Sequence, residues 1–175
     1  MGEISRLAGR SINSSTTNIN TTKTISYGDL TSGNSNTQAM IHVGSNNYTN
    51  GETVWYNYAA ATAMTVTGSS SGMATYDLCP KNWHLPSIDN GAGEFCSITG
   101  YSSSFSPHYG GGFFDGYNGN SGSYPSSSYG FWWSSVYGLG NGGNANNLMY
   151  HNGILDCNDN SLTYRGFFVR CVRTS

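Results

Sequence analysis

The chain has 175 residues, enough for one domain with or without a tail, and its net charge is −2. Charged residues make up 9% of it, against about 25% in an average soluble protein. With no basic stripe and no long apolar run, the composition excludes a nucleic-acid footprint and direct membrane insertion, and it leaves a surface built from Ser, Thr, Asn, Gly and Tyr.

The N-terminal part is polar and of low complexity. The run SINSSTTNINTTKTI predicts that residues 1–25 form a leader or an extended segment, and that residues 26–175 form the domain. The first residues, MGEISRLAGRS, lack the apolar core of a signal peptide. We therefore expect that the chain is either trimmed or exported by another route.

The elements predicted after it are two short helices and three strands. The Ala-rich run NYAAATAM predicts the first helix, and the second is predicted to begin with Ser87 as its N-cap and Asp89 in its first turn. The Gly/Ser/Tyr-rich stretch from 97 to 130 predicts a long, packed loop. The strands are FWWSSVYG (131–138), NNLMYH (146–151) and GFFVRCVR (166–173), which together make a small antiparallel sheet.

The four cysteines are Cys79, Cys96, Cys157 and Cys171. An even number allows three pairings, and the spacing alone does not choose between them. No Cys-x-x-Cys is present and no Cys has zinc-like spacing from a His. Disulfides are therefore favoured over a metal site, with buried free thiols as the alternative.

The sequence carries no catalytic motif. It has no Gly-x-Ser-x-Gly elbow and no phosphate-binding loop. Of the histidines His42, His84, His108 and His151, the second lies in WHLPS, where packing or hydrogen bonding explains it, and the last is better explained as a ligand contact than as a base. We therefore predict that the protein is not an enzyme.

Four motifs, WYNYAAATA, DLCPKNWHLPS, FWWSS and GFFVRCVR, occur in this order between residues 52 and 175. They resemble the Fibrobacter succinogenes major paralogous domain, which belongs with the formylglycine-generating-enzyme type of C-type lectin fold. The resemblance implies an α+β, C-type lectin-like fold, with two helices packed on a small twisted antiparallel sheet and long loops. It also implies a disulfide between Cys79 and Cys171. The oxidase activity of the formylglycine-generating relatives is not expected, because no supporting motif surrounds Cys157 or Cys171.

A narrower resemblance concerns residues 144–173. This stretch is rich in Asn and ends in VRCVR, and so it resembles the variable region of proteins diversified by diversity-generating retroelements, here about 131–173. Such regions are rewritten at template adenines, which makes Asn codons frequent targets. The resemblance implies a hypervariable ligand-binding face, with these residues: Tyr137, Asn144, Asn146, Asn147, Tyr150, His151, Asn152, Ile154, Asp156, Asn158, Asn160 and Tyr164.

Calcium is the one cofactor that the sequence raises. The run DCNDN places Asp156, Asn158 and Asn160 at alternate positions, as at the start of a calcium loop, but the following Gly and the distal Glu are missing. The run FDGYNGN offers Asp115 and two asparagines in the same way. Both runs are also typical of turns. We therefore predict no cofactor, with calcium as the alternative.

Together these observations predict a receptor-like or adhesin-like binding protein that is displayed extracellularly, on a cell surface or a virion. Its expected partner is a protein or another cell-surface ligand. The alternative is a surface adhesin or glycan-binding module of the same fold without diversification, because exposed Tyr and Trp side chains stack on sugars.

Overall fold

The structure is a computed structural model, and it describes residues 28–30, 38–45, 52–65, 72–99, 114–115, 122–123, 129–138, 143–151 and 154–173. The predicted leader at 1–25 lies outside these ranges, as do Asn152 and most of the stretch between 97 and 130. Within the described ranges, no helix has the length and apolar character needed to cross a membrane.

Most of the described secondary structure is β-strand. The two helices are α1, Tyr58–Ala61, and α2, Glu94–Thr99. The strands are β1 Gly28–Asp29, β2 Met40–Ser45, β3 Glu52–Tyr56, β4 Gly72–Met73, β5 Trp83–His84, β6 Phe114–Asp115, β7 Gly122–Ser123, β8 Tyr129–Tyr137, β9 Asn144–His151, β10 Ile154–Leu162 and β11 Val172–Arg173.

The strands form one four-stranded sheet, one three-stranded sheet and two small pairs. The four-stranded sheet has the order β10-β9-β8-β4 and is antiparallel throughout. In the three-stranded sheet, β1-β2-β3, the first pair is parallel and the second antiparallel. The remaining strands pair as β11 with β5 and β6 with β7.

The predicted α+β class is wrong, because strands account for 53% of the structure and helices for only 11%. The two helices have 4 and 6 residues, too few to form a helical layer on a sheet. The Ala-rich run forms a single turn, since Ala63 and Met64 already have φ values of 50° and 61°. All four residues of α1 are buried. Its three alanines therefore serve to let neighbouring segments pack closely, and they do not lead to a longer helix.

The central strand β8 is buried on both faces of its sheet. Successive side chains of a strand point to opposite faces, and the two tryptophans divide accordingly. Trp132 packs on one face in a cluster with Ile88, Phe95 and Leu148, called here the Phe95 cluster. Trp133 packs on the other face, in the main core. The run FWWSS therefore lacks the alternation of a half-exposed strand because neither of its sides is exposed.

Trp133 connects β8 to three other parts of the chain. Its side chain is fully buried, and its indole N–H donates to the Tyr56 carbonyl at 2.7 Å. The ring centroid lies 4.2 Å from that of Phe167 and 5.2 Å from that of Tyr58. Its backbone N–H donates to the carbonyl of Phe168 at 3.0 Å. One residue thus holds β3, α1 and the C-terminal run against the central strand.

The C-terminal run GFFVRCVR is not the single strand that its sequence predicts. Phe167 forms an isolated bridge to Tyr56 and Phe168 one to Trp132, while regular pairing is confined to β11. Phe167 packs in the main core, and Phe168 packs against the Phe95 cluster. The run therefore passes between sheets, and the third strand of the large antiparallel sheet is β10, from the irregular stretch before it.

A disulfide joins Cys79 to Cys171, with the Cα atoms 5.8 Å apart, and this is the pairing that the resemblance implies. The buried Asp77 fixes the first of these cysteines. Its carboxylate accepts the backbone N–H of Cys79 at 2.9 Å and that of Leu85 at 2.8 Å. The C-terminal run is therefore covalently attached to the loop that contains Cys79, and the buried Asp77 carboxylate stabilises the conformation of that loop.

Helix α2 begins at Glu94, and the prediction that it starts at Ser87 with Asp89 in its first turn is wrong. The Ser87 hydroxyl still accepts the Glu94 N–H at 3.4 Å, and the Glu94 carboxylate accepts the Ser87 N–H at 3.2 Å. This reciprocal pair of hydrogen bonds resembles a capping box, except that a turn separates the two residues in the sequence. At Gly93, with φ +117°, a Cβ would lie 2.6 Å from the Ser87 carbonyl oxygen, so only glycine fits this closure.

We expect loss of the Cys79 to Cys171 disulfide to lower the free energy of unfolding by about 2–5 kcal/mol, because the bond restricts the unfolded chain. Cys79→Ala would be compared with the parent protein by urea denaturation, both in a Cys96→Ser, Cys157→Ser background. With a reductant the two proteins should become equally stable. Equal stability without a reductant would contradict the assignment.

We expect Trp133→Phe to lower the free energy of unfolding by about 1–3 kcal/mol, because it removes a buried hydrogen bond and leaves a gap beside Phe167. Trp83→Phe is the matched control, since Trp83 is 42% exposed and should cost at most about 0.5 kcal/mol. Denaturation followed by circular dichroism measures both. A control as destabilised as Trp133→Phe would show that this core contact is not special.

Candidate functional site

Most of the predicted binding residues lie on the hairpin of β9 and β10, at the edge of the described four-stranded sheet. Tyr137 lies on β8, and Tyr164 follows the end of β10. Asp156 stands opposite Met149 and Asp159 opposite Asn147, so that two residues of β10 face one residue of β9 between these pairs. This is a β-bulge, a device that redirects side chains at sheet edges. The two extra-register residues are Cys157 and Asn158.

A polar depression opens beside the bulge. It has a volume of about 70 Å³, which is room for a few water molecules or for one polar group of a ligand. Its lining comes from the hairpin and from the turn before α2, and consists of Asn90, Asn146, Cys157, Asn158, Asp159 and Asn160.

Hydrogen bonds hold the amides at the rim of this depression in place. The Asn146 amide donates to the Ile88 carbonyl at 2.8 Å, which links the hairpin to the segment carrying Asn90. The Asn144 amide donates to the side-chain oxygen of Asn160 at 2.8 Å. Because these side chains have fixed partners, the polar groups are ordered before any ligand arrives, which lowers the entropic cost of binding.

The bulge itself is fixed by carboxylates. Asp156 accepts the backbone N–H of Asn158 at 2.8 Å, as in an Asx-turn. Asp159 accepts the side-chain amide of the fully buried Asn147 at 2.7 Å. Burial raises the pKa of Asp159, and the hydrogen bond from Asn147 opposes that rise. The floor of the depression thus contains a carboxylate that is poorly solvated.

A second group of side chains lies across the far end of the same sheet. Tyr129, His151 and Ile154 stand opposite one another on β8, β9 and β10. The ring centroids of Tyr129 and His151 are 4.6 Å apart, and Ile154 is 65% exposed. An exposed aliphatic side chain beside two partly exposed rings is a small apolar contact area.

The structure divides eleven of the twelve predicted contact residues into three groups by exposure. Exposed are Ile154, Asn158 and Asn160, and partly exposed are Asn144, Asn146, Tyr150, His151, Asp156 and Tyr164. Tyr137 and Asn147 are buried at 4% and 0% exposure, so neither presents a surface to a ligand. Asn152 lies outside the described residues.

Sequence reasoning missed Asn90, Asp159 and Tyr129. The first belongs to an Asn-Gly pair, a signal for a turn, but nothing in the sequence places that turn beside β10. Asp159 lies in the run DCNDN, where the alternate-position pattern picks out Asp156, Asn158 and Asn160 and omits Asp159. Tyr129 precedes the predicted start of β8, and its position opposite His151 depends on the register of the sheet.

The calcium alternative receives no support from the described residues. They contain no group of three or more His, Cys, Asp or Glu side chains that could hold a metal ion, and Asp156 already accepts the N–H of Asn158. In the other candidate run, Asn118 and Asn120 lie outside the described residues.

We expect the contribution of Asp159 to stability to fall as the pH rises from the ordinary carboxyl pKa of 3.8 to the raised pKa of Asp159, because in this window this carboxyl binds more protons in the folded chain than in the unfolded chain. Asp159→Asn keeps an oxygen for Asn147 and removes the titration. As the pH rises through this window, the unfolding free energy of the parent protein should therefore fall relative to that of Asp159→Asn. Urea denaturation from about pH 3 to about pH 8 measures both. A difference that does not vary with pH would contradict the expectation.

The polar groups of the site are amides, which both donate and accept, one poorly solvated carboxylate and the thiol of Cys157. The amides and the carboxylate can exchange hydrogen bonds with a polar ligand. No family model, no curated protein and no solved structure matches this chain.

Proposed function

We propose that this protein is a non-enzymatic binding protein, and that its ligand contacts the exposed sheet edge formed by the β9–β10 hairpin. The single observation that carries the proposal is that several accessible amide side chains lie around one depression open to solvent, on strands that the buried core holds in place. The proposed contact residues of the hairpin, called here the hairpin surface, are Asn144, Asn146, His151, Ile154, Asp156, Asn158 and Asn160.

The side chains of the hairpin surface suit a protein or another cell-surface ligand. The asparagines offer adaptable hydrogen bonds, and Ile154 beside His151 offers an apolar contact. Binding surfaces of this mixed kind combine a few apolar anchors with polar groups that adjust to the partner. A site on paired strands also keeps its geometry better than one on a free loop.

We further propose that the hairpin surface is hypervariable and is rewritten by a diversity-generating retroelement. The separation of exposed from buried positions supports this. Ala145, Asn147 and Leu148 are fully buried, whereas Asn158, Asn160 and Ile154 are exposed, so the latter can change without altering the core. Positions 137 and 147 are left out of the proposed variable surface because they are buried, and Tyr150 because it packs against the Phe95 cluster. Asn152 lies outside the described residues, and Tyr164 follows the end of β10.

The site is proposed to work outside the cell, on a cell surface or a virion. The disulfide between Cys79 and Cys171 supports this, since disulfides persist in oxidising compartments.

A glycan-binding module without diversification is the second candidate. The depression favours it, because Asn and Asp side chains are suitable partners for sugar hydroxyls. A glycan array separates the two proposals. Binding to one sugar class by natural variants that differ on the hairpin surface would favour this module.

We expect Asn158→Tyr to change the free energy of unfolding by at most about 0.5 kcal/mol, and Asn147→Tyr to lower it by more than about 3 kcal/mol. The same substitution is made on the same hairpin, at an exposed and at a buried position. Thermal or urea denaturation measures both. Equal effects would argue against a hairpin built to tolerate variation.

The binding function itself is tested by display of a library randomised at the hairpin surface. Selection on several unrelated proteins should yield binders whose affinity is lost when the selected residues are reverted, while their stability stays unchanged. A parallel test compares the DNA of residues 131–173 with any near-identical repeat beside it. Adenine-specific differences at the codons of the hairpin surface would support diversification, and the absence of any such repeat from the genome would overturn it.

A further inference from the structure

The two cysteines outside the disulfide lie on different elements that pack together. Cys96 belongs to α2, and Cys157 is one of the two residues in the bulge of β10. Both are partly buried, and both pack against the Phe95 cluster. The fold therefore brings to one place two thiols that are far apart in sequence.

The two thiols are in direct contact. Their side chains are hydrogen-bonded to each other, and burial together with this bond raises the pKa of Cys96 to about 12. Side chains that touch in this way need only small rotations to reach the short Cβ···Cβ distance of a disulfide. A structural metal does not explain the pair, since the described residues include no third His, Cys, Asp or Glu that completes a metal site with them.

Both thiols are partly exposed, and Cys157 also lines the polar depression. An oxidant can therefore reach the pair at Cys157 from the solvent side of the depression. Neither packing nor the proposed ligand contact accounts for two adjacent, partly exposed thiols.

We propose that Cys96 and Cys157 are a redox site, which a low-molecular-weight disulfide oxidises to a second disulfide between α2 and β10. The Cys157 thiolate attacks one sulfur of the oxidant and expels the first thiolate, leaving a mixed disulfide. The Cys96 thiolate then attacks the Sγ of Cys157 and expels the second. Two protein thiols lose two electrons and two protons, and one oxidant molecule is reduced to two thiols.

Oxidation has a definite structural consequence. The new bond fastens the edge strand β10 to α2, at the bulge that shapes the depression. In the reduced protein, β10 is held by its pairing and side-chain hydrogen bonds with β9 and by packing against the Phe95 cluster. Oxidation therefore makes the edge strand harder to detach.

The test uses the full chain, with Cys79→Ala and Cys171→Ala in one sample and unchanged cysteines in another. Each is reduced, incubated with oxidised glutathione, denatured, alkylated and mapped by mass spectrometry. We expect the doubly substituted protein to lose both alkylatable thiols as a monomer and to yield a cross-linked peptide joining Cys96 to Cys157. Persistent free thiols, a lasting glutathione adduct or only intermolecular dimers would overturn the proposal.

Two further variants test the order of the steps and guard against misfolding of the first sample. In the otherwise unchanged chain, Cys96→Ser should retain glutathione on Cys157, because no thiol is present to displace it. Cys157→Ser should react more slowly, because burial raises the pKa of Cys96 and so leaves less of it as the reactive thiolate. Oxidation of the unchanged chain should raise its melting temperature by about 5–10 °C above that of Cys96→Ser. A faster reaction of Cys157→Ser, or an unchanged melting temperature, would contradict the mechanism.

Discussion

The indole of Trp133 is the contact on which the arrangement of the strands depends. It is fully buried, it donates to the Tyr56 carbonyl at 2.7 Å, and it stacks on Phe167 at 4.2 Å. Through it the central strand of the large sheet meets β3 and the C-terminal run at one point. Because Trp132 points the opposite way into the Phe95 cluster, the same strand also supports the face on which α2 packs. The hairpin of β9 and β10 is positioned by this doubly buried strand.

The edge strand β10 combines accessibility with order. An exposed edge invites pairing with another chain, and natural sheets limit this with bulges and polar side chains. Here the bulge at Cys157 and Asn158 and the exposed asparagines meet that requirement. The same features create the depression. The feature that protects the sheet edge thus also shapes the proposed binding surface.

Elements with strong local signals could be predicted from the sequence, and register-dependent features could not. FWWSSVYG and NNLMYH are strands, and NYAAATAM contains a short helix, as predicted. The prediction of one strand for GFFVRCVR is wrong because its apolar residues pack into two different clusters and do not pair along a single strand. The irregular stretch before it is strand because cross-strand pairing imposes regularity on a sequence without a clear period. The burial of Tyr137 and Asn147, and the closeness of Asn90 to the hairpin, follow from tertiary packing alone.

The disulfide between Cys79 and Cys171 encloses the whole β9–β10 hairpin, since its two cysteines are 92 positions apart in the chain. Any protease cut within that interval leaves both fragments in one covalent molecule. A protein displayed among extracellular proteases would then keep its C-terminal piece after a single cleavage in the hairpin. Such a nicked chain could still present its surface, held by the core around Trp133. The position of this disulfide therefore lets the protein stay in one piece after a protease has cut its exposed hairpin once.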